Sequence, residues 1–246
     1  MAVPRPRVLI LRTAGTNCDA EMSRAFALAG FEPEAVHVNA LAAEPGRLSG
    51  FAAMGFPGGF SHGDDVAAGR ILAARLRRHL LPVLQENIAR GMLVLGVCNG
   101  FQVLAKLGLL PDPAAAEQTT TLAHNRSGVF HDAWHGVAAD PDSPCVWTRG
   151  LGEHELPSAH AEGRFTAPEA VLDSLEVSHQ VALRYVGESP SGSDRSIAGV
   201  CDPSGRVFGL MPHPERWTDP LHHPAWSSGE REPAGLRYFR NAYEAV

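Results

Sequence analysis

The stretch Met92 to Gln102, MLVLGVCNGFQ, constrains the fold more than any other part of the chain. Five of its first six residues are apolar, the short continuous run required of a strand buried on both faces of a parallel sheet. A helical pattern begins directly after Cys98: Phe101, Leu104, Ala105 and Leu107 share one side, and Gly108 stands where a C-cap is expected. Strand, sharp turn and helix with a cysteine at the corner make a nucleophile elbow. Gly96 and Gly100 flank Cys98 at i−2 and i+2, a spacing that lets the helix start hard against its strand while the nucleophile takes a strained backbone conformation. A thiol at a helix N-terminus meets the positive end of the macrodipole, which favours the thiolate. Unpaired backbone N–H groups there, that of Asn99 first, point where an oxyanion would develop. Taken alone, these residues also fit a buried structural cysteine between two packing glycines.

Elsewhere strand and helix patterns alternate. Arg7 to Leu11 reads as a buried strand, Asn17 to Ala29 as a helix stopped by Gly30, Glu34 to Val38 and Phe51 to Phe56 as further strands, and Gly69 to Arg90 as one long helix. This predicts βαβ units: an α/β fold, a single domain over 1–246 with a mostly parallel central sheet flanked by helices, flavodoxin-like, plus a small antiparallel hairpin region. The third strand ends in PGGFSHGDD, Pro57 to Asp65, where Gly58 and Gly59 allow close backbone approach to a ligand and a second oxyanion donor. On its own that loop is equally an ordinary Gly-rich βα connection. The loop before the first helix, Thr13 to Asn17, also lies at the carboxyl end of a strand, where open α/β sheets bind ligands.

Residues 131–157 read as a surface excursion, with Asp140 to Gly152 rich in Pro and Gly. His131 and His135 would share a face on a helix, but no carboxylate-flanked pattern supports a metal, and none is expected. Ile197 to Cys201 and Val207 to Met211 read as the hairpin, and residues 217–246 as a C-terminal extension ending in a helix. The hairpin runs into MPHPERW. His213 lies between two prolines, so its ring can be held in place, and Glu215 can accept its Nδ1 proton. A cysteine at an elbow needs such a base and such a carboxylate. Without Cys98 this would be a surface histidine in a Pro-rich loop.

With 246 residues, 44% of them hydrophobic, the chain can bury a large core. Its formal charge of −6 leaves no basic footprint for nucleic acid. No apolar run approaches the ~18 residues of a membrane span, and the start passes into strand without a signal-peptide pattern. Cys18, Cys98, Cys145 and Cys201 form no C-x-x-C pair, which fits a reducing cytoplasm.

Seven segments carry a family resemblance: GTNCD (Gly15 to Asp19), PGGFSHGDD, GVCNGFQ, QVLAKLGLLP (Gln102 to Pro111), NRSGVF (Asn125 to Phe130), HAEGRF (His160 to Phe165) and IAGVCDPSGRVFGLMPHPER (Ile197 to Arg216). Together they resemble the class I glutamine amidotransferases and, within them, the glutaminase subunits of phosphoribosylformylglycinamidine synthase in purine biosynthesis. The resemblance implies that Cys98 attacks the side-chain amide of L-glutamine to form a thioester. His213 would move the protons, and Glu215 would orient His213. The N–H groups of Asn99 and of Gly58 or Gly59 would hold the oxyanion, and Gln102 would contact the bound glutamine. It also implies a large ATP-dependent synthetase subunit that receives the ammonia, together with a small accessory subunit; ATP and magnesium would belong to the synthetase, leaving no cofactor in this chain. Ala161 stands where the family often has Gly, and His62 where it has Tyr. An amidotransferase serving another acceptor, a stand-alone Cys hydrolase or stress protein, and a non-enzymatic binding module are the alternatives. The last would be expected to lack one of Cys98, His213 and Glu215, and all are present.

Overall fold

In the computed structural model, residues 4–228 and 232–246 are described. The first half comprises β1 (Arg7–Arg12), α1 (Asp19–Ala29), β2 (Glu32–His37), α2 (Val38–Ala43), β3 (Ala53–Phe56), α3 (Arg70–His79), α4 (Leu81–Ala89), β4 (Leu93–Val97) and α5 (Asn99–Leu107). After it come β5 (Thr121–Ala123), β6 (His131–Ala139), β7 (Glu153–His160), β8 (Arg164–Thr166), α6 (Glu169–Val177), β9 (Leu183–Tyr185), β10 (Ile197–Cys201), β11 (Val207–Leu210) and α7 (Ala234–Glu244).

Nine strands form one sheet in the order β2-β1-β3-β4-β11-β10-β9-β6-β7, and β5 pairs with β8 in a small antiparallel sheet. The pairings β2-β1, β1-β3, β3-β4 and β4-β11 are parallel. Those from β11 through β7 are antiparallel. β4 lies inside the parallel half, between β3 and β11, and is buried at every position, as its uninterrupted apolar run requires. Its Gly96 pairs with Phe56 on one side and Gly209 on the other.

The structure corrects two expectations. The single helix over 69–90 is two, because Leu80 leaves helical geometry at φ −130° and Pro82 fits the first turn of a new helix. The surface excursion over 131–157 is instead mostly sheet: β6 and β7 pair along their length at its edge. Between them the Pro- and Gly-rich segment buries Trp147 completely. The expected hairpin is present: β10 and β11 pair antiparallel within the main sheet and begin its antiparallel half.

Of the expected C-terminal extension, residues 229–231 lie outside the described residues. Its helix α7 packs on α1 and buries Tyr238 and Phe239. No helix of the described residues is long and apolar enough to cross a membrane.

Candidate active site

The carboxyl ends of four neighbouring parallel strands converge on one cleft. β1 leads to Cys18, β3 to Gly58 and Gly59, β4 to Cys98, and β11 to His213 and Glu215. This is where open α/β sheets place ligands. Cys98 is the N-cap of α5 at φ 50° and ψ −106°, and its own N–H is tied to the Leu210 carbonyl at 2.8 Å. A Cβ at Gly100 would lie 1.9 Å from the Phe56 carbonyl oxygen, and one at Gly96 would lie 2.8 Å from that of Gly100. Both glycines are therefore needed for α5 to start this close to the sheet.

His213 and Glu215 are buried, and His213 Nδ1 donates to Glu215 Oε1 at 2.7 Å. That bond turns Nε2 toward the cleft, where it is buried without a hydrogen-bond partner among the described residues. Burial pushes the ring toward its neutral form. The charge of Glu215, with the Cys18 and Cys98 thiols, outweighs this and holds the His213 pKa well above its ordinary value. A Cβ built on Gly58 would meet His213 Cε1 at 2.8 Å, Cys18 Sγ at 3.2 Å and Cys98 Cβ at 3.5 Å. Only glycine fits at the point these groups surround.

Asn99 and Gln102 brace the elbow. Asn99 Nδ2 donates to Asp64 Oδ1 at 3.1 Å and to Gln102 Oε1 at 2.9 Å, while Asn99 Oδ1 accepts from the Ser61 N–H at 3.3 Å. Gln102 Nε2 donates to the Glu162 carbonyl at 2.6 Å. The cleft has a volume of about 250 Å³ and is lined by Gly59, Cys98, Gln102 and His213 together with residues that sequence reasoning had not singled out. These include Cys18, Asp64, Asp132, His160, Glu162 and Arg216. The signals for them were the position of GTNCD after a strand and the HAEGRF segment, neither of which says which side chain turns inward.

Cys18 Sγ, a ring nitrogen of His213 and a carboxylate oxygen of Glu215 lie within 4.8 Å of one another. The Arg216 guanidinium donates to Cys18 Sγ at 3.1 Å, and a fixed cation there works against a metal ion. His131 and His135, four residues apart on a strand and not a helix, meet Nε2 to Nε2 at 2.5 Å.

Residues 5–246 match the CobB/CobQ-like glutamine amidotransferase domain family. The chain is 44% identical to the phosphoribosylformylglycinamidine synthase subunit PurQ of Dehalococcoides mccartyi, over 96% of each chain. It is 37% identical to the PurQ subunit of Archaeoglobus fulgidus over 85% of this chain and 87% of that one. Its structure resembles a chain of PurLQS from Thermotoga maritima with a TM-score of 0.78 and 31% identity, covering 98% of this chain and 99% of that one. A glutamine amidotransferase from the same organism, 15% identical, shares the fold at a TM-score of 0.56 over 98% of this chain and 97% of that one. The architecture, the cleft and these similarities converge: the chain belongs to the PurQ family of glutamine amidotransferase subunits.

Proposed function

We propose that this chain hydrolyses L-glutamine to glutamate and ammonia and hands the ammonia to an ATP-dependent synthetase that makes formylglycinamidine ribonucleotide. The observation that carries this reading is the meeting of a strained elbow cysteine with a buried, carboxylate-oriented imidazole in one amino-acid-sized cleft. His213 Nε2 takes the Cys98 proton, and the thiolate attacks the amide carbon of glutamine. The oxyanion is met by the N–H of Asn99 and of Gly58 or Gly59. As the tetrahedral intermediate collapses, Nε2 returns the proton to the departing nitrogen, and ammonia leaves a glutamyl thioester. Water, deprotonated by the same nitrogen, then releases glutamate and regenerates the thiol. Gln102, fixed by Asn99 and Glu162, shapes the wall against which glutamine lies.

The partners in this reading are the large synthetase subunit and a small accessory subunit, with ATP and magnesium on the synthetase, in the cytoplasm. Family membership and the likeness to a chain of PurLQS support the pairing with a synthetase. In the assembled enzyme, Cys98→Ala is expected to abolish glutamine-dependent product while leaving ammonia-dependent product and the fold intact. A glutamine-analogue electrophile should label Cys98 alone. Labelling of Cys18 or Cys201 in its place would sink the assignment, and failure to form formylglycinamidine ribonucleotide with the synthetase would point to another acceptor.

A further inference from the structure

The active site holds a second thiol that the mechanism does not use. Cys18 is the N-cap of α1, only 1% exposed, and its sulfur forms part of the cleft wall. Its position is over-determined. Sγ donates to Asn17 Oδ1 at 3.1 Å and accepts from Arg216 Nη2 at 3.1 Å, while Arg216 Nε is held by Glu21 Oε2 at 3.2 Å, one turn into the same helix. The sulfur is within 4.8 Å of a His213 ring nitrogen, and it borders the point that Gly58 leaves open between His213 and Cys98.

Because Glu215 occupies Nδ1, the nitrogen available to Cys18 is Nε2, which is buried and lacks a hydrogen-bond partner among the described residues. Burial is the main influence on the Cys18 thiol and raises its pKa, against the pull of His213 and Arg216, so the group stays protonated. It is thus a neutral sulfur with its proton turned to Asn17 and a lone pair free for the ring, and not a competing nucleophile.

We propose that Cys18 is a positioning residue for the catalytic imidazole. This rests on the glutaminase reading above. Once Cys98 sulfur is bonded to the substrate carbon it no longer carries the negative charge that draws Nε2–H. The Cys18 sulfur then accepts a weak hydrogen bond from the protonated ring and keeps it aligned until the proton passes to the leaving nitrogen. No bond to Cys18 sulfur forms or breaks.

The test is steady-state glutamine hydrolysis and acid-quench trapping of the Cys98 thioester in the assembled enzyme, for the wild type, Cys18→Ala and Cys18→Ser. Cys18→Ala should lower kcat about tenfold, the rate equivalent of one hydrogen bond. Its KM should stay within about twofold, since the proposed role is exerted on the His213 ring and not on glutamine. Cys18→Ser, whose hydroxyl can still accept, should recover most of the loss. Cys18→Val, similar in volume but with no acceptor, takes the place of the alanine variant if that one does not fold, and should behave like it. The proposal is overturned if Cys18→Ala keeps the wild-type kcat, if only KM rises, or if serine is no better than alanine or valine. If the wild type itself traps no thioester on Cys98, the glutaminase reading fails first. A wild-type thioester with silent Cys18 variants removes this inference alone.

Discussion

Cys98 occupies a backbone conformation that a side chain rarely takes, and the surrounding structure holds it there through the Leu210 carbonyl on its N–H and the two flanking glycines. This much was legible in the G-x-C-x-G spacing, as was the pairing of His213 with Glu215 two residues on. Cys18, His160 and Arg216 were not legible, because their roles arise only when loops from distant strands meet. His160 also has a consequence for stability. Its ring is 2% exposed and donates from Nδ1 to Asn125 Oδ1 at 3.1 Å, leaving Nε2 buried without a partner among the described residues. Burial, reinforced by His131, His213 and His135, lowers its pKa to about 3. The unfolded chain therefore binds a proton near pH 6.5 that the native state refuses until about pH 3. The stabilisation is complete above pH 6.5 and is lost as the pH falls through this window. Its slope approaches about 1.4 kcal/mol per pH unit at most. Urea titrations at a series of pH values should show this acid limb flattened in His160→Gln; equal slopes for the two proteins would refute the assignment.

At the scale of elements, buried strands and capped helices were the readable parts. β4 announces itself by its apolar run, and α1 and α5 by Gly30 and Gly108, both left-handed C-caps. β6 was hidden because it lies near the sheet edge, where most of its side chains are only half-buried and its sequence lacks a clean alternation. Trp147 sits in a Pro- and Gly-rich connection whose composition reads as surface, yet it packs edge-on against Phe26 with ring centroids 6.3 Å apart. The elbow makes a sharper claim. Because a Cβ at Gly100 would sit 1.9 Å from the backbone oxygen of Phe56, no side-chain rotation can relieve the clash, and α5 must move off β3. Gly100→Ala should destabilise the fold by about 1–3 kcal/mol. It should also cost most of the glutaminase activity at temperatures where the protein stays folded, because the Asn99 N–H and Cys98 travel with the helix. Thermal melts with activity measured well below the transition test both halves, and full activity in a folded variant would contradict the elbow's role.

For the whole molecule, the C-terminal helix decides how the core closes. The sequence marks residues 217–246 as an extension ending in a helix, but nothing in an amphipathic stretch says which surface receives it. In the structure α7 lies on α1, where Phe239 meets Phe26 edge-on at 4.9 Å between centroids and Tyr243 meets Phe31 at 5.6 Å. Asn241 Nδ2 caps the Trp147 and Arg149 carbonyls at 2.9 and 2.8 Å, tying the helix to the segment between β6 and β7. The end of the chain thereby clamps the connection from the antiparallel half of the sheet onto the first helix of the parallel half. Phe239 is fully buried, so Phe239→Ala removes a large side chain that packs edge-on against Phe26, at a cost of about 3–5 kcal/mol. The ring it meets, Phe26, does not line the cleft, so kcat and KM below the lowered melting transition should match the wild type. Chemical denaturation and kinetics on the same preparation separate the possibilities. A helix that served as a lid would change KM at unchanged stability, whereas one that completes the core must do the reverse.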